Sequence, residues 1–131
     1  MIGLDSNVLI RYLAQDDVAQ SARATRLIEG ERSERVPGYI SLVALVEVCW
    51  VLKRLYGATA DELHDTVRDL LDARQLVVEQ RAVVSAALAR WGGDIGNFAD
   101  ALISACARAG GCARVVTFDK AAVKVGMALL R

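Results

Sequence analysis

Glu47 is a carboxylate that its neighbours do nothing to compensate. Five apolar residues precede it (Leu42-Val43-Ala44-Leu45-Val46) and five follow it (Val48-Cys49-Trp50-Val51-Leu52). Asp100 poses the same problem in Phe98-Ala99-Asp100-Ala101-Leu102-Ile103, and neither acid has an Arg or Lys three or four positions away to pair with on a helix. An unpaired charge in apolar surroundings is costly unless something binds it. Two further acids, Asp5 in Met1-Ile2-Gly3-Leu4-Asp5-Ser6-Asn7 and Asp119 in Val115-Val116-Thr117-Phe118-Asp119-Lys120, each follow an apolar run that reads as a strand. In a parallel α/β sheet that position is the ligand-binding end of the strand.

Each acid also has a structural reading. Asp5, Ser6 and Asn7 all suit a helix N-cap, and taken alone the cap is the preferred reading of Asp5. Asp100, close to Asn97 at a helix start, suits the positive end of the dipole. Glu47 lies about 9 Å into its helix, too far for that dipole to help, so its functional reading is preferred.

If the strands before Asp5 and Asp119 are neighbours at the crossover point of the sheet, four acids converge. Bare carboxylates about 4 Å apart repel by about 4 kcal/mol at an effective dielectric near 20, so the group must take up protons or cations. An all-oxygen set without Cys or His suits Mg²⁺ or Mn²⁺. Such ions bridge to phosphate, activate water and stabilise a leaving oxygen, which is the chemistry of phosphodiester hydrolysis. His64 is the only histidine, which excludes a two-histidine ribonuclease, and it reads as a surface residue. No Gly-x-Ser-x-Gly turn is present for a serine hydrolase.

The elements that would position these acids follow from periodicity. Asp16 and Asp17 cap a helix whose apolar stripe is Val18, Ala22, Leu27 and Ile28; Pro37-Gly38 then leads to a short strand, Tyr39-Ile40. Ser41 caps a helix through Leu55 that reads as buried on nearly all sides, and Gly57 ends it. Thr59 to Glu62 fits a capping box before the amphipathic Leu63, Val67, Leu70 and Leu71, and Leu76 to Glu79 reads as a strand. Val83 to Trp91 is a helix stopped by Gly92-Gly93, Asp94 to Asn97 a loop, and Phe98 to Ala107 a helix closed by Gly110-Gly111. A strand from Arg114 to Phe118, a short helix from Ala121 to Val125 and an edge strand from Met127 to Leu130 complete the chain. Alternating strands and helices predict one three-layer α/β/α domain over residues 1–131, with a mostly parallel central sheet and right-handed crossovers.

Composition sets the outer bounds. A chain of 131 residues suits a single core, and 54% hydrophobic residues with one proline argue against disorder, with some apolar surface to spare for a partner. Sixteen basic and sixteen acidic residues cancel, so any nucleic-acid contact is local or shared between subunits, with modest affinity and a shallow salt slope. Cys49, Cys106 and Cys112 are odd in number and lie in apolar or Gly-rich surroundings, which argues against disulfides and structural zinc and for a reducing cytoplasm. The longest apolar run, Leu42 to Leu52, is too short to cross a bilayer and contains Glu47, and the first residues do not resemble a secretory signal.

Asp5-Ser6-Asn7, the intrahelical Glu47, Phe98-Ala99-Asp100-Ala101-Leu102-Ile103 and Thr117-Phe118-Asp119-Lys120, in this order and over essentially the whole chain, resemble the PIN domain and specifically the VapC-type toxins of bacterial toxin-antitoxin modules. The resemblance implies an endoribonuclease dependent on Mg²⁺ or Mn²⁺, with Asp5, Glu47, Asp100 and Asp119 holding metal and Ser6, Asn7 and Thr117 supporting them. It also implies a homodimer, and a cognate antitoxin that inhibits it by entering the active-site groove within a larger hetero-oligomer. Many relatives carry Asp at the position of Asn97, which leaves a fifth acid open; Asp94 is an alternative contributor, though a loop cap is its simpler role.

Arg11, Lys120 and Lys124 lie just past the proposed site strands and could reach RNA phosphates, although each also reads as a solvated charge. Trp50 and Trp91 read as core or interface residues rather than base-stacking platforms. Three other classes compete. A phosphatase with an aspartyl nucleophile favours Asp-x-Asp at the first strand, and Asp5-Ser6-Asn7 lacks the second acid. A Mg²⁺-binding phosphoacceptor domain needs an acid pair near the start and an acceptor Asp at a middle strand end, neither of which is present. A non-catalytic interaction module leaves Glu47 and Asp100 unexplained.

Overall fold

Parallel strand pairing, the main expectation from the alternating pattern, holds in every ladder of the structure. The structure is a computed structural model that describes residues 1–91 and 97–131. The stop at Gly92-Gly93 and the loop at Asp94 lie outside the described residues. Two compact units are distinguished, Met1–Thr59 with Asp69–Glu79, and Ala60–Arg68 with Gln80–Arg131.

The first unit holds a three-stranded parallel sheet in the order β1 (Ile2–Gly3), β2 (Gly38–Ile40), β3 (Leu76–Val78). Gly38 lets Leu4 and Leu76 close over β2, since a Cβ there would stand 2.7 Å from a methyl carbon of Leu4 and 3.3 Å from one of Leu76 and would push them aside. Between β1 and β2 run α1 (Ser6–Ala14), α2 (Val18–Thr25) and a π-helical turn, Arg26–Glu31, that extends α2. The α2 cap is the predicted one, with the Asp17 carboxylate accepting from the Gln20 amide. The stripe is not: Ser21, Ala24 and Ile28 are buried, whereas Val18 is 92% exposed and Ala22 is exposed. The buried positions keep helical spacing, i, i+3 and i+7, but the stripe runs through the small residues Ser21 and Ala24 rather than through Val18 and Ala22.

The helix α3 (Leu42–Tyr56) begins and ends as its sequence predicts. The Ser41 hydroxyl accepts from the Ala44 amide, and Gly57 closes the helix in the left-handed region, φ 66°. Its burial corrects the sequence reading. Ala44, Leu45, Val48, Cys49 and Leu52 face the core, but Val43, Trp50 and Leu55 are 80%, 57% and 70% exposed. Apolar composition marks a helix that can be covered on all sides, without supplying the cover.

The helix α4 (Ala60–Asp72) buries Leu63, Val67, Leu70 and Leu71, the four residues of its predicted apolar face. In the second unit α5 (Arg81–Arg90) packs on α6 (Phe98–Ala109), and β4 (Val116–Thr117) pairs in parallel with β5 (Ala128–Leu129) across the short α7 (Lys120–Val123). Its core includes Val84, Ala87, Leu88, Trp91, Phe98, Ala101, Leu102, Val125 and Met127. Trp91 is central: it is 2% exposed, tilts against Phe98 at 5.6 Å and stacks on His64 at 5.8 Å. His64 is therefore half-buried against an indole, not a free surface residue. Trp50, by contrast, lies outside the core, with the Arg54 guanidinium 5.1 Å over its ring.

Candidate active site

Asp5 stands at the junction of β1 and α1, in the N-cap position, yet its side chain makes no capping hydrogen bond. The backbone does the turning: the Asp5 carbonyl accepts from Val8 and Leu9. Among the described residues this exposed carboxylate at a strand end is thus left uncommitted, and the helix-cap reading loses its ground. Ser6, 6% exposed, does not cap either; its hydroxyl donates to the Glu47 carboxylate. Glu47 itself is exposed on the uncovered face of α3 rather than buried, so the cost that singled it out in the sequence is relieved by water and by Ser6. The Asn7 side chain makes no hydrogen bond among the described residues, and Asn7 lines a cleft of about 540 Å³ with Val8, Arg11, Gln20, Arg23, Ala24 and Leu27.

The second unit positions two acids through short-range caps. Asn97 is the N-cap of α6 and its side-chain oxygen accepts from the Asp100 amide at 2.8 Å, which fixes Asp100 in the first turn. Asp119 caps α7, accepting from the Ala121 amide at 2.9 Å, while its own amide donates to the Thr117 hydroxyl at 3.0 Å. Asn97 and Thr117 thus hold the backbone of the acids. Burial raises the Asp100 pKa, the nearby Asp119 charge adds to the rise, and the Asn97 contact opposes it. These two carboxylates sense each other's charge, a situation that a cation relieves.

Among the described residues no group of three or more Asp, Glu, His or Cys side chains is gathered closely enough to hold an ion, and β1 pairs with β2 while β4 pairs with β5. What each unit offers is oxygen donors suited to a hard divalent ion: Asp5 and the Ser6-bonded Glu47 in one, Asp100 and Asp119 in the other.

Of the basic residues predicted to reach phosphate, Arg11 is already engaged. It donates to Asp16 at 3.0 and 3.1 Å, to Gln20 at 2.7 Å and to the Tyr56 hydroxyl at 3.4 Å, and Tyr56 in turn donates to Asp16. Lys120 and Lys124 are exposed. Two residues escaped the sequence reading. Phe118, next to Asp119, is 82% exposed, and its sequence signal was an aromatic inside the motif of a strand-end acid. Glu79, at the end of β3, accepts from the Leu42 amide at 2.7 Å and so helps Ser41 start α3; no local pattern announces a cap supplied 37 residues away.

A family model described as PIN domain matches residues 2–127. The chain belongs to the PIN domain family. The PIN-domain resemblance read from four acidic motifs is thereby borne out, and with it the α/β fold with parallel strands. Among solved structures this PIN domain is similar to VapC20 of Mycobacterium tuberculosis, a sarcin-ricin loop cleaving toxin. The identity is 20% over 100% of this chain and 99% of that one, with a TM-score of 0.48. No curated protein matches the chain. No helix among the described residues is long and apolar enough to cross a membrane.

Proposed function

We propose that this PIN-domain protein is a divalent-metal-dependent endoribonuclease of the VapC toxin type, with Asp5, Glu47, Asp100 and Asp119 as the ligands of Mg²⁺ or Mn²⁺. The observation that carries the reading is the Asp5 carboxylate, placed at a strand end and spent on no cap. Bound metal supplies an activated water and charge stabilisation at the scissile phosphate. Ser6 orients Glu47 by its hydrogen bond, and Asn97 and Thr117 fix the backbone from which Asp100 and Asp119 project. Lys120 and Lys124 are the cations assigned to RNA phosphates; Arg11 is assigned to holding α1 against Asp16 and Tyr56 instead.

As with other toxins of this type, the proposed partners are RNA, a second copy of the chain and a cognate antitoxin, and the uncovered apolar residues Val43, Trp50 and Leu55 of α3 offer surface for a protein partner. The phosphoacceptor alternative loses further ground, because the mid-chain strand β3 is followed by Glu79, whose carboxylate is occupied at the α3 start.

The test incubates the purified, metal-stripped chain with structured RNA in Mg²⁺ or Mn²⁺, beside Asp5→Asn and Glu47→Gln. Metal-restored cleavage that either variant reduces by about a hundredfold or more supports the proposal. Cleavage undiminished in both variants, or none by folded wild type on any RNA tried, overturns it.

A further inference from the structure

The cleft of about 540 Å³ in the first unit is walled by one face of each of two helices. Asn7, Val8 and Arg11 come from α1; Gln20, Arg23 and Leu27 come from α2 and its π turn at i, i+3 and i+7, positions that share a helical face. Small-molecule sites occupy about 300–1,000 Å³, so the space suits a ligand of that size. Asn7 stands two residues beyond Asp5, which puts one end of the cleft at the strand-end acid.

The chemistry of the lining is one-sided. Two guanidinium groups and two carboxamides contribute to it, and no carboxylate does. Arg11 donates through Nε to Gln20 at 2.7 Å and through Nη1 to Asp16 and Tyr56, so its position is set. A guanidinium only donates, so this bond turns the Gln20 oxygen toward Arg11 and leaves the NH₂ as the group that Gln20 offers a ligand. Arg11 is thus a positioning residue for a donor. Asn7 and Arg23 are exposed, the one with a donor and an acceptor, the other with a charge. Val8 and Leu27 are half-buried and supply aliphatic wall.

These groups match the parts of a nucleotide. Arginine pairs with phosphate, Asn and Gln carboxamides pair with base edges, and unpaired RNA bases expose those edges. An acidic peptide satisfies the cations but brings no planar edge for two carboxamides. We propose that the α1–α2 cleft is a base-reading subsite for one unpaired nucleotide near the scissile bond, with Asn7 and Gln20 on the base edge and Arg23 on a phosphate. The inference rests on the ribonuclease reading for the nature of its ligand.

The test measures binding of the full-length chain, in metal-free buffer, to five fluorescent 2′-O-methyl pentamers: one for each base and one abasic. The Asn7 and Gln20 side-chain NH₂ signals of ¹⁵N-labelled protein, assigned through their backbone connectivities, are followed in parallel. Wild type should prefer one base by about tenfold or more, and the preferred pentamer should move both NH₂ signals where the abasic one does not. Asn7→Ala and Gln20→Glu should cut the preference to about twofold or less. Gln20→Glu keeps the acceptor for Arg11, so its fold is preserved; should either variant fail to fold, the wild-type NH₂ signals carry the test. Arg23→Gln should weaken all pentamers alike, and the exposed-charge control Arg35→Gln none. Equal binding of all five pentamers, or a preference that survives both carboxamide variants, overturns the proposal. So does a poly-glutamate peptide that moves both NH₂ signals as far as the preferred pentamer, which assigns the cleft to a protein partner. Base preference without metal-dependent cleavage sinks the ribonuclease reading and leaves the subsite; cleavage without base preference does the reverse.

Discussion

The Ser6 hydroxyl donates a hydrogen bond to the Glu47 carboxylate, joining the first residue of α1 to the middle of α3 across 41 positions of sequence. Ser6 is buried and Glu47 exposed, so the bond sets the direction of a carboxylate that solvent alone would leave free. Ser6→Ala is expected to cost about 1 kcal/mol in urea denaturation, since a charged acceptor loses a donor but keeps water. In a double-mutant cycle with Glu47→Gln the coupling should reach about 0.5 kcal/mol or more. Strict additivity would show that the bond does not hold Glu47.

Asp100 and Asp119 predict a stability gain on removing charge. Burial and the Asp119 charge both favour protonated Asp100, so without metal the ionised pair opposes folding. Asp119→Asn should raise the metal-free Tm at neutral pH by roughly 1–3 °C, even though it removes a capping carboxylate, because the amide oxygen still accepts from Ala121. Millimolar Mg²⁺ should stabilise wild type more than the variant. Equal Tm values with and without metal in both proteins would detach this pair from metal binding.

Which parts of this were legible in the sequence follows from the range of each signal. The Ser41 and Asp17 caps, the Gly57 stop and the apolar face of α4 are local, and each stands where the sequence places it. The acids were singled out because lone charges in apolar runs are conspicuous, yet the burial expected of Glu47 is not there, because α3 leaves one face uncovered. The α2 stripe failed because the face that meets the core carries the small residues Ser21 and Ala24, which hydrophobicity alone does not mark. The partners of Arg11 were not legible because Asp16 and Tyr56 come from different elements, and the Tyr56 contact spans 45 positions.

The Arg11–Asp16–Tyr56 cluster gives a pH prediction. The Tyr56 hydroxyl is the largest cause holding the Asp16 pKa below its ordinary value, with Arg11 adding to it and partial burial opposing. A carboxyl with a depressed folded pKa stabilises the fold above its unfolded pKa, about 3.9, and that contribution is lost as pH falls through the folded value. Tyr56→Phe should therefore lower the urea midpoint at pH 7 and make it less steeply pH-dependent below about pH 4. Parallel acid limbs in wild type and variant would remove Tyr56 as the cause.

Phe118 predicts a split between binding and chemistry. Its ring is 82% exposed beside Asp119, and nothing in the fold accounts for leaving a phenyl group in water next to a strand-end acid. Unpaired RNA bases stack on such rings at about 1–3 kcal/mol each, without sequence preference. Phe118→Ala should weaken RNA binding in metal-free buffer by roughly 5- to 150-fold, while Phe118→Trp retains it. Turnover at saturating RNA should change far less than KM, because the ring neither binds metal nor moves a proton. Weaker binding with an unchanged melting temperature is the expected signature, and unaltered affinity in Phe118→Ala would place the base contacts elsewhere.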